Sequence, residues 1–111
     1  MQLSTEVIGD VGIIRVRGEV DTLEAPNLDH AATQMLNDGA RDLVFDFRDV
    51  EFIASDGLRV LVHAHEKAHA QGGTLTIRRP SALAYRLMRL TALDTVFVID
   101  GLPDSDGDRV D

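Results

Sequence analysis

Strand-like and helix-like segments alternate along most of this chain, and that alternation limits the folds open to it. Two β-rich runs flank Gly9-Asp10, which predicts an N-terminal hairpin with a type II′ turn. Apolar periodicity then predicts helices from Thr22 to about Asn37, from Ser55 to about Ala70 and from Ala82 to about Leu93, with strands over Asp42–Phe47, Thr74–Arg78 and Thr95–Ile99. Strands that alternate with helices imply right-handed crossovers and parallel pairing. The sequence therefore predicts an α/β fold, a mixed, mostly parallel sheet of four to five strands that is extended by the hairpin and flanked by three main helices.

Capping signals and apolar stripes set the expected limits and faces of these helices. Thr22 is expected to cap the first helix, with Pro26 in its first turn and Gly39 just beyond its end. The inward face of the third helix is expected to consist of Leu83, Leu87, Met88 and Leu90.

Length and composition restrict the class of protein. The chain has 111 residues, which is enough for one domain with a single core, and it has no cysteine for disulfides or thiolate sites. The formal net charge of −8 argues against nucleic acid and anionic membranes as partners. No apolar run approaches the length of a membrane span. We expect a soluble cytoplasmic protein in which residues 1–102 form the domain and residues 103–111 form a disordered acidic tail.

The turn Ala54-Ser55-Asp56-Gly57 lies between a short apolar run and an amphipathic helix. Ser55 is expected to be exposed at the helix N-terminus, where free N–H groups and the helix dipole would favour a phosphate. Gly57 lacks a side chain and is expected to let another surface approach the backbone. On these residues alone, the favoured interpretation is that Ser55 simply caps the helix.

A carboxylate interrupts the otherwise apolar strand Asp42–Phe47. Asp46 would be costly inside a buried strand unless it is paired or lies at the strand end, so we expect it at the carboxyl rim of the sheet. In parallel sheets the functional loops lie beyond the carboxyl ends of the strands. The loops after Val20, Phe47 and Ile53 are therefore expected to bring Asp21, Asp46 and Ser55 together.

Nothing in the sequence builds an active site or a metal site. A serine hydrolase needs a base beside its serine, but all four histidines fall in the middle or late part of helices. There is no Gly-x-Ser-x-Gly elbow and no Walker-type phosphate loop. His65 and His69 share a helical face without a suitably spaced third ligand, and the acidic tail does not match a calcium loop. The sequence predicts no catalytic residue, no metal and no cofactor.

Several motifs, taken together and in order, resemble a known family. The segment Val50–Val62 carries the central motif, and four others accompany it: Gly18–Asp21, Phe45–Phe47, Gly72–Leu75 and Met88–Phe97. Over residues 3–100 the chain resembles a STAS domain, and in particular the stand-alone bacterial anti-sigma factor antagonists, also called anti-anti-sigma factors. The resemblance implies a small mixed sheet flanked by helices, in agreement with the α/β prediction.

The resemblance also implies a function and a partner. In that family, a serine two places before Gly-Leu is phosphorylated by a partner that is both anti-sigma factor and serine kinase, and only the unphosphorylated antagonist binds that partner. Here Ser55 falls on the phosphoacceptor, followed by Gly57 and Leu58, and Asp21 and Asp46 fall on the acidic positions near it. The expected partner-binding residues are Asp21, Asp46, Ala54, Ser55, Asp56, Gly57, Leu58 and Arg59.

Three residues depart from the family pattern. Ala54 replaces the usual Asp before the acceptor, Asp56 replaces the usual Ser or Thr after it, and Thr91 replaces a usual Gly. With the resemblance, Ser55 is expected to be both phosphoacceptor and cap, in a protein that is a monomer or a weak dimer. Three alternatives stay open: an unphosphorylated STAS adaptor of a signalling scaffold or of a lipid or anion transporter, a small-molecule or nucleotide sensor, and an enzyme.

Overall fold

The computed structural model describes residues 1–103, so the predicted tail falls almost wholly outside the described residues. The strands are β1 (Gln2–Ile8), β2 (Val11–Val20), β3 (Asp42–Ile53), β4 (Leu75–Arg78) and β5 (Val98–Asp100). The helices are α1 (Ala25–Asn37), α2 (Ser55–Ala70) and α3 (Ala82–Leu90), and a single 3₁₀ turn spans Leu93–Thr95. None of the described helices is long and apolar enough to cross a membrane.

The five strands form one sheet in the order β1-β2-β3-β4-β5. β1 and β2 pair antiparallel as a hairpin, and every other neighbouring pair is parallel. Gly9 begins the hairpin turn at a φ of +63°, the positive value that a type II′ turn requires at its first central residue. The predicted α/β architecture is confirmed, with the hairpin at one side of a mostly parallel sheet.

The hydrophobic core lies on one face of this sheet. Leu43, Phe45 and Phe47 alternate along β3 and are fully buried. They belong to a single cluster with buried side chains from all three helices, which include Leu28, Leu61 and Met88. The described helices therefore bury one side of the sheet, and the intervening strand residues point to the other side.

That other side, which we call the open face, carries a charged row. Strand register aligns Arg15, Asp46, Arg78 and Asp100 across β2, β3, β4 and β5. Each of these side chains is half-buried or exposed. The register also aligns Ile13 and Val44 on this face, and neither belongs to the core cluster.

Several predicted boundaries are wrong. The last strand begins at Val98 rather than at Thr95, because Leu93–Thr95 forms a 3₁₀ turn. β3 runs six residues past Phe47, because the apolar run that ends at Ile53 continues to pair with β2. α1 begins at Ala25 rather than at Thr22. α3 stops at Leu90, because Ala92 adopts a left-handed conformation with a φ of +61°.

The predicted inward face of α3 is only partly correct. Met88 is buried, and Ala84, which was not predicted, is buried beside it. Leu83 and Leu90 instead expose 39% and 72% of their surface. A nine-residue helix has room for a narrow buried stripe, so its outer leucines face solvent.

Asp42 joins the start of β3 to the loop before β4. Its Oδ1 accepts a hydrogen bond from the backbone N–H of Thr74 at 2.8 Å, and its Oδ2 lies 3.3 Å from Nη2 of Arg41. The hydrogen bond from the Thr74 N–H is the main cause that lowers the pKa of Asp42; burial opposes it, and Arg41 lowers the pKa further.

Candidate functional site

The site forms where β2 and β3 end side by side. Val20 and Ile53 are register partners, and the N–H of Ala54 donates to the carbonyl of Val20 at 2.8 Å. The chain leaves β2 into the loop before α1 and leaves β3 directly into α2. The parallel pairing therefore places Asp21 next to the turn that carries Ser55, as the sequence predicted for these two residues.

Ser55 is the first residue of α2 and does not cap it. The N-cap is Ala54, whose extended backbone has φ −76° and ψ 165°, and no side chain makes a capping hydrogen bond there. The prediction that Ser55 caps the helix is therefore wrong, because the helix begins one residue earlier than a Ser55 cap requires. Ser55 is exposed, and its hydroxyl has no hydrogen-bond partner within residues 1–103.

The first turn of α2 presents free donors close to this hydroxyl. The first backbone N–H to find an acceptor in the helix is that of Leu58, which donates to the carbonyl of Ala54 at 3.1 Å. The N–H groups of the three preceding residues carry the positive end of the helix dipole. A negative charge on Ser55 would thus be partly compensated by its own helix.

Asp56 places a carboxylate beside Ser55. It is half-buried, and its Oδ1 lies 3.4 Å from Nη1 of Arg59, one helical turn away. This pair lines one wall of a shallow groove of about 250 Å³ between the first turns of α1 and α2. Pro26 and Asp29 lie on the opposite wall, so the groove is amphipathic.

Gly57 and Leu58 face inward rather than toward a partner. A Cβ on Gly57 would lie 2.8 Å from Cγ1 of Ile53 and 2.9 Å from Cγ1 of Val20. Leu58 is also buried, with 8% of its surface exposed. The expectation that Gly57 opens the backbone to another protein is wrong, because its missing side chain lets α2 pack closely on its own sheet.

Asp21 has a structural task at the start of α1. Its Oδ1 accepts the N–H of Glu24 at 2.9 Å, and its carbonyl accepts the N–H of Ala25 at 3.0 Å. Asp21 therefore satisfies donors that were assigned to Thr22, and that prediction is wrong because the chain makes a turn before the helix begins. The Asp21 side chain remains half-buried at the rim.

Asp46 does not join Asp21 and Ser55. It lies within β3, seven residues before Ile53, and at about 3.3 Å per residue this corresponds to roughly 20 Å along the strand. On the open face its Oδ2 lies 3.9 Å from Nε of Arg15, and its Oδ1 accepts the N–H of Arg48 at 3.2 Å. The predicted clustering fails for Asp46, because the strand that was expected to end at Phe47 continues.

Two exposed apolar side chains near the rim were missed from the sequence. Leu23, in the loop after Asp21, exposes 85% of its surface, and Phe52, next to Ile53, exposes 43%. The signal for Phe52 was available, since a strand that buries Ile53 must turn its neighbour to the other side. Leu23 lies in a turn, where alternation gives no such signal.

Comparisons with known proteins agree with this geometry. A family model described as "Mlab, STAS domain" matches residues 4–100. The anti-sigma-F factor antagonist RsfB of Mycobacterium tuberculosis is 29% identical over 91% of this chain and 86% of its own length. The anti-sigma-B factor antagonist of Bacillus subtilis is 31% identical over 78% of each chain.

A solved structure of an anti-sigma factor antagonist is similar to this chain in fold as well as in sequence. The crystal structure of an anti-sigma factor antagonist from Mycobacterium paratuberculosis superposes with a TM-score of 0.79 at 31% identity, and the match covers 89% of this chain and 84% of that one. The five-stranded mixed sheet, the serine at the first turn of α2 and these matches all point the same way. The chain belongs to the STAS domain family, among the stand-alone anti-sigma factor antagonists.

Proposed function

We propose that this chain is an anti-sigma factor antagonist that binds an anti-sigma factor with serine kinase activity and is released from it by phosphorylation of Ser55. Through this exchange it would regulate transcription indirectly, as a cytoplasmic binding protein rather than an enzyme. The observation that carries the proposal is the state of Ser55, which is exposed in the first turn of α2 with its hydroxyl unengaged by residues 1–103. The names of the relatives in Mycobacterium and Bacillus support the same role.

The binding surface in this proposal surrounds Ser55. Ala54, Asp56 and Arg59 form its α2 side, and Asp21 with the exposed Leu23 forms its α1 side. Leucine at the centre of such a patch contributes apolar area, while the charged residues around it set orientation and specificity. Asp46 is left out of this surface because it lies on the open face.

Phosphorylation would change the charge of this surface without changing the fold. A phosphoserine carries about −1.5 to −2 charges at pH 7. The free N–H groups of α2 would hold part of that charge, while Asp56 next to it would repel it. A partner that packs against a neutral hydroxyl would then have to bury a doubly charged group, which costs about 2–5 kcal/mol.

A matched pair of serines provides the test. A serine kinase of the anti-sigma factor class from the same organism would be incubated with the chain and ATP, and the modified residue would be identified by mass spectrometry. We expect phosphate on Ser55 and none on Ser81, which also starts a helix but whose Oγ accepts the N–H of Ala84 at 3.2 Å. Ser55→Ala should retain kinase binding and lose phosphorylation. A chain that binds the kinase equally well with and without phosphate would contradict the proposal.

The second candidate function is a constitutive STAS adaptor, such as an accessory subunit of a lipid or anion transporter. Ala54 and Asp56 favour it, because they replace the usual neighbours of the phosphoacceptor. In that case Ser55 would be an unmodified interface residue. Recovery of the same transporter subunits from native lysate by the wild type and by Ser55→Glu, with no phosphate on Ser55 in the cell, would support the adaptor over the switch.

A further inference from the structure

The open face of the sheet has no helix packed against it among residues 1–103. The strands β2, β3, β4 and β5 pair parallel, and a parallel sheet is almost always covered on both of its faces. Here the buried side chains of α1, α2 and α3 all belong to the core cluster on the opposite face. The described part of the chain therefore leaves its parallel strands covered on one side only.

An apolar row lies next to the charged row on this face. Strand register aligns Ile13, Val44, Thr76 and Val98 across β2 to β5, two residues before the charged side chain on each strand. Ile13 is buried, Val44 and Thr76 are half-buried, and Val98 exposes 53% of its surface. The removal of such a row from water would stabilise a contact with another apolar surface.

The charged row alternates in sign. From β2 to β5 it consists of Arg15, Asp46, Arg78 and Asp100, so reading it in the opposite direction exchanges every positive charge for a negative one. Two copies of this row that meet in opposite directions place Arg15 opposite Asp100 and Asp46 opposite Arg78. Complementary potentials of this kind favour association and fix its register. The four charges also sum to zero, so this face adds nothing to the repulsion between chains that each carry a net charge of −8.

A single two-fold axis satisfies both rows at once. The axis runs parallel to the strands, midway between β3 and β4, and lies between the two sheets. It reverses the strand order but keeps each position along the strands, so the charged row meets the charged row and the apolar row meets the apolar row. Sheets that pack face to face lie about 10 Å apart and cross at about 30°, so the match is closest at β3 and β4.

We propose that the open face is the interface of a two-fold dimer of this chain, in which Asp46 of each copy lies opposite the partner's Arg78. A two-fold interface uses the same patch on both copies, which is what a self-complementary row requires. The surface around Ser55 lies on the helix side of the sheet and stays accessible in both copies. The dimer therefore presents two Ser55 surfaces, and its existence does not depend on the proposed function.

The test measures the dissociation constant of the dimer by sedimentation equilibrium of the full chain, the variants Arg78→Asp and Asp46→Arg, and their equimolar mixture. Each variant alone brings like charges together at the centre, so its dissociation constant should rise at least about tenfold. In the mixture the two reversed side chains face each other with opposite signs, so association should return close to the wild-type level. Arg86→Asp on α3 makes the same change in net charge as Arg78→Asp and should leave the dissociation constant unchanged.

Cysteine cross-linking gives the same decision if the charge-reversed chains fail to fold, since the chain has no cysteine of its own. A short bismaleimide should join Val44→Cys chains to Thr76→Cys chains, because these positions face each other across the axis. It should not join Val44→Cys chains to Arg86→Cys chains. Three results would overturn the proposal: a wild-type chain that sediments as a monomer at every concentration, a mixture of reversed variants that associates no better than either alone, or equal cross-linking of the two cysteine mixtures.

Discussion

Gly57→Ala offers a sharp test of how α2 is seated on the sheet. In most helical positions this substitution is favourable, because alanine has the higher helix propensity by about 1 kcal/mol. Here the added methyl would lie 2.8 Å from Cγ1 of Ile53 and 2.9 Å from Cγ1 of Val20, both of which are buried. An extra methyl in a packed core costs about 1–3 kcal/mol. The clash should exceed the gain and destabilise the chain by about 1 kcal/mol.

Urea unfolding followed by circular dichroism would measure this change, and the melting temperature should fall by about 4–8 °C for each kcal/mol. Val20→Ala provides the matched control, since it removes one of the two carbons that the new methyl would meet. The loss of unfolding free energy in the double variant should be smaller, by about 1 kcal/mol, than the sum of the losses in the two single variants. A stabilising effect of Gly57→Ala, or strict additivity with Val20→Ala, would refute the close packing of Gly57 on the sheet.

Three further predictions concern single side chains. Ser55→Ala should leave the free energy of unfolding within about 0.5 kcal/mol of wild type, whereas Ser81→Ala should lower it by about 1 kcal/mol, because only Ser81 caps a helix; equal losses in urea titrations would contradict this. Asp21→Ala should lower the unfolding free energy by about 1 kcal/mol and Asp21→Asn by much less, because asparagine can still accept the N–H of Glu24; equal losses would show that the hydrogen bond is unimportant. The folded state lowers the pKa of Asp42, so the Asp42 carboxylate stabilises the fold above the ordinary aspartate pKa of about 4, and this stabilisation is lost as the pH falls below that value. Asp42→Asn should therefore lose less unfolding free energy than wild type between pH 5 and about pH 2. Parallel pH profiles of the two chains would contradict the assignment.

The sequence was sufficient to predict the architecture, because several independent patterns indicated the same fold. Alternating strand and helix segments, the Gly9-Asp10 hairpin and the apolar run in β3 all specify one mixed sheet. The adjacency of Asp21 and Ser55 also followed, because parallel strands end at the same edge and the register of β2 and β3 keeps Val20 beside Ile53.

The errors come from features that depend on tertiary structure. The length of β3 is set by continued pairing with β2, and a sequence that reads as two short runs gave no sign of it. Asp46 was displaced by that extension, so its expected place near Ser55 could not hold. The inward direction of Gly57 depends on where α2 meets the sheet, and a glycine at a helix start is compatible with either an open or a packed face.

The exposed apolar side chains at the rim show a different limit. Leu23 lies in a turn without periodicity, so nothing in the sequence separates it from a core residue. The charged row of the open face was equally hidden, because Arg15, Asp46 and Arg78 are far apart in the chain and are aligned only by strand register.

The most direct test of the central claim is the affinity of this chain for its kinase partner, measured by calorimetry with Ser55 unmodified and with Ser55 stoichiometrically phosphorylated. The burial cost of a phosphate at this surface predicts that phosphorylation weakens binding by at least about 30-fold. The fold should be unchanged, with the same melting temperature to within a few degrees. Equal affinities of the two forms for the kinase would contradict the account and leave the chain a constitutive adaptor.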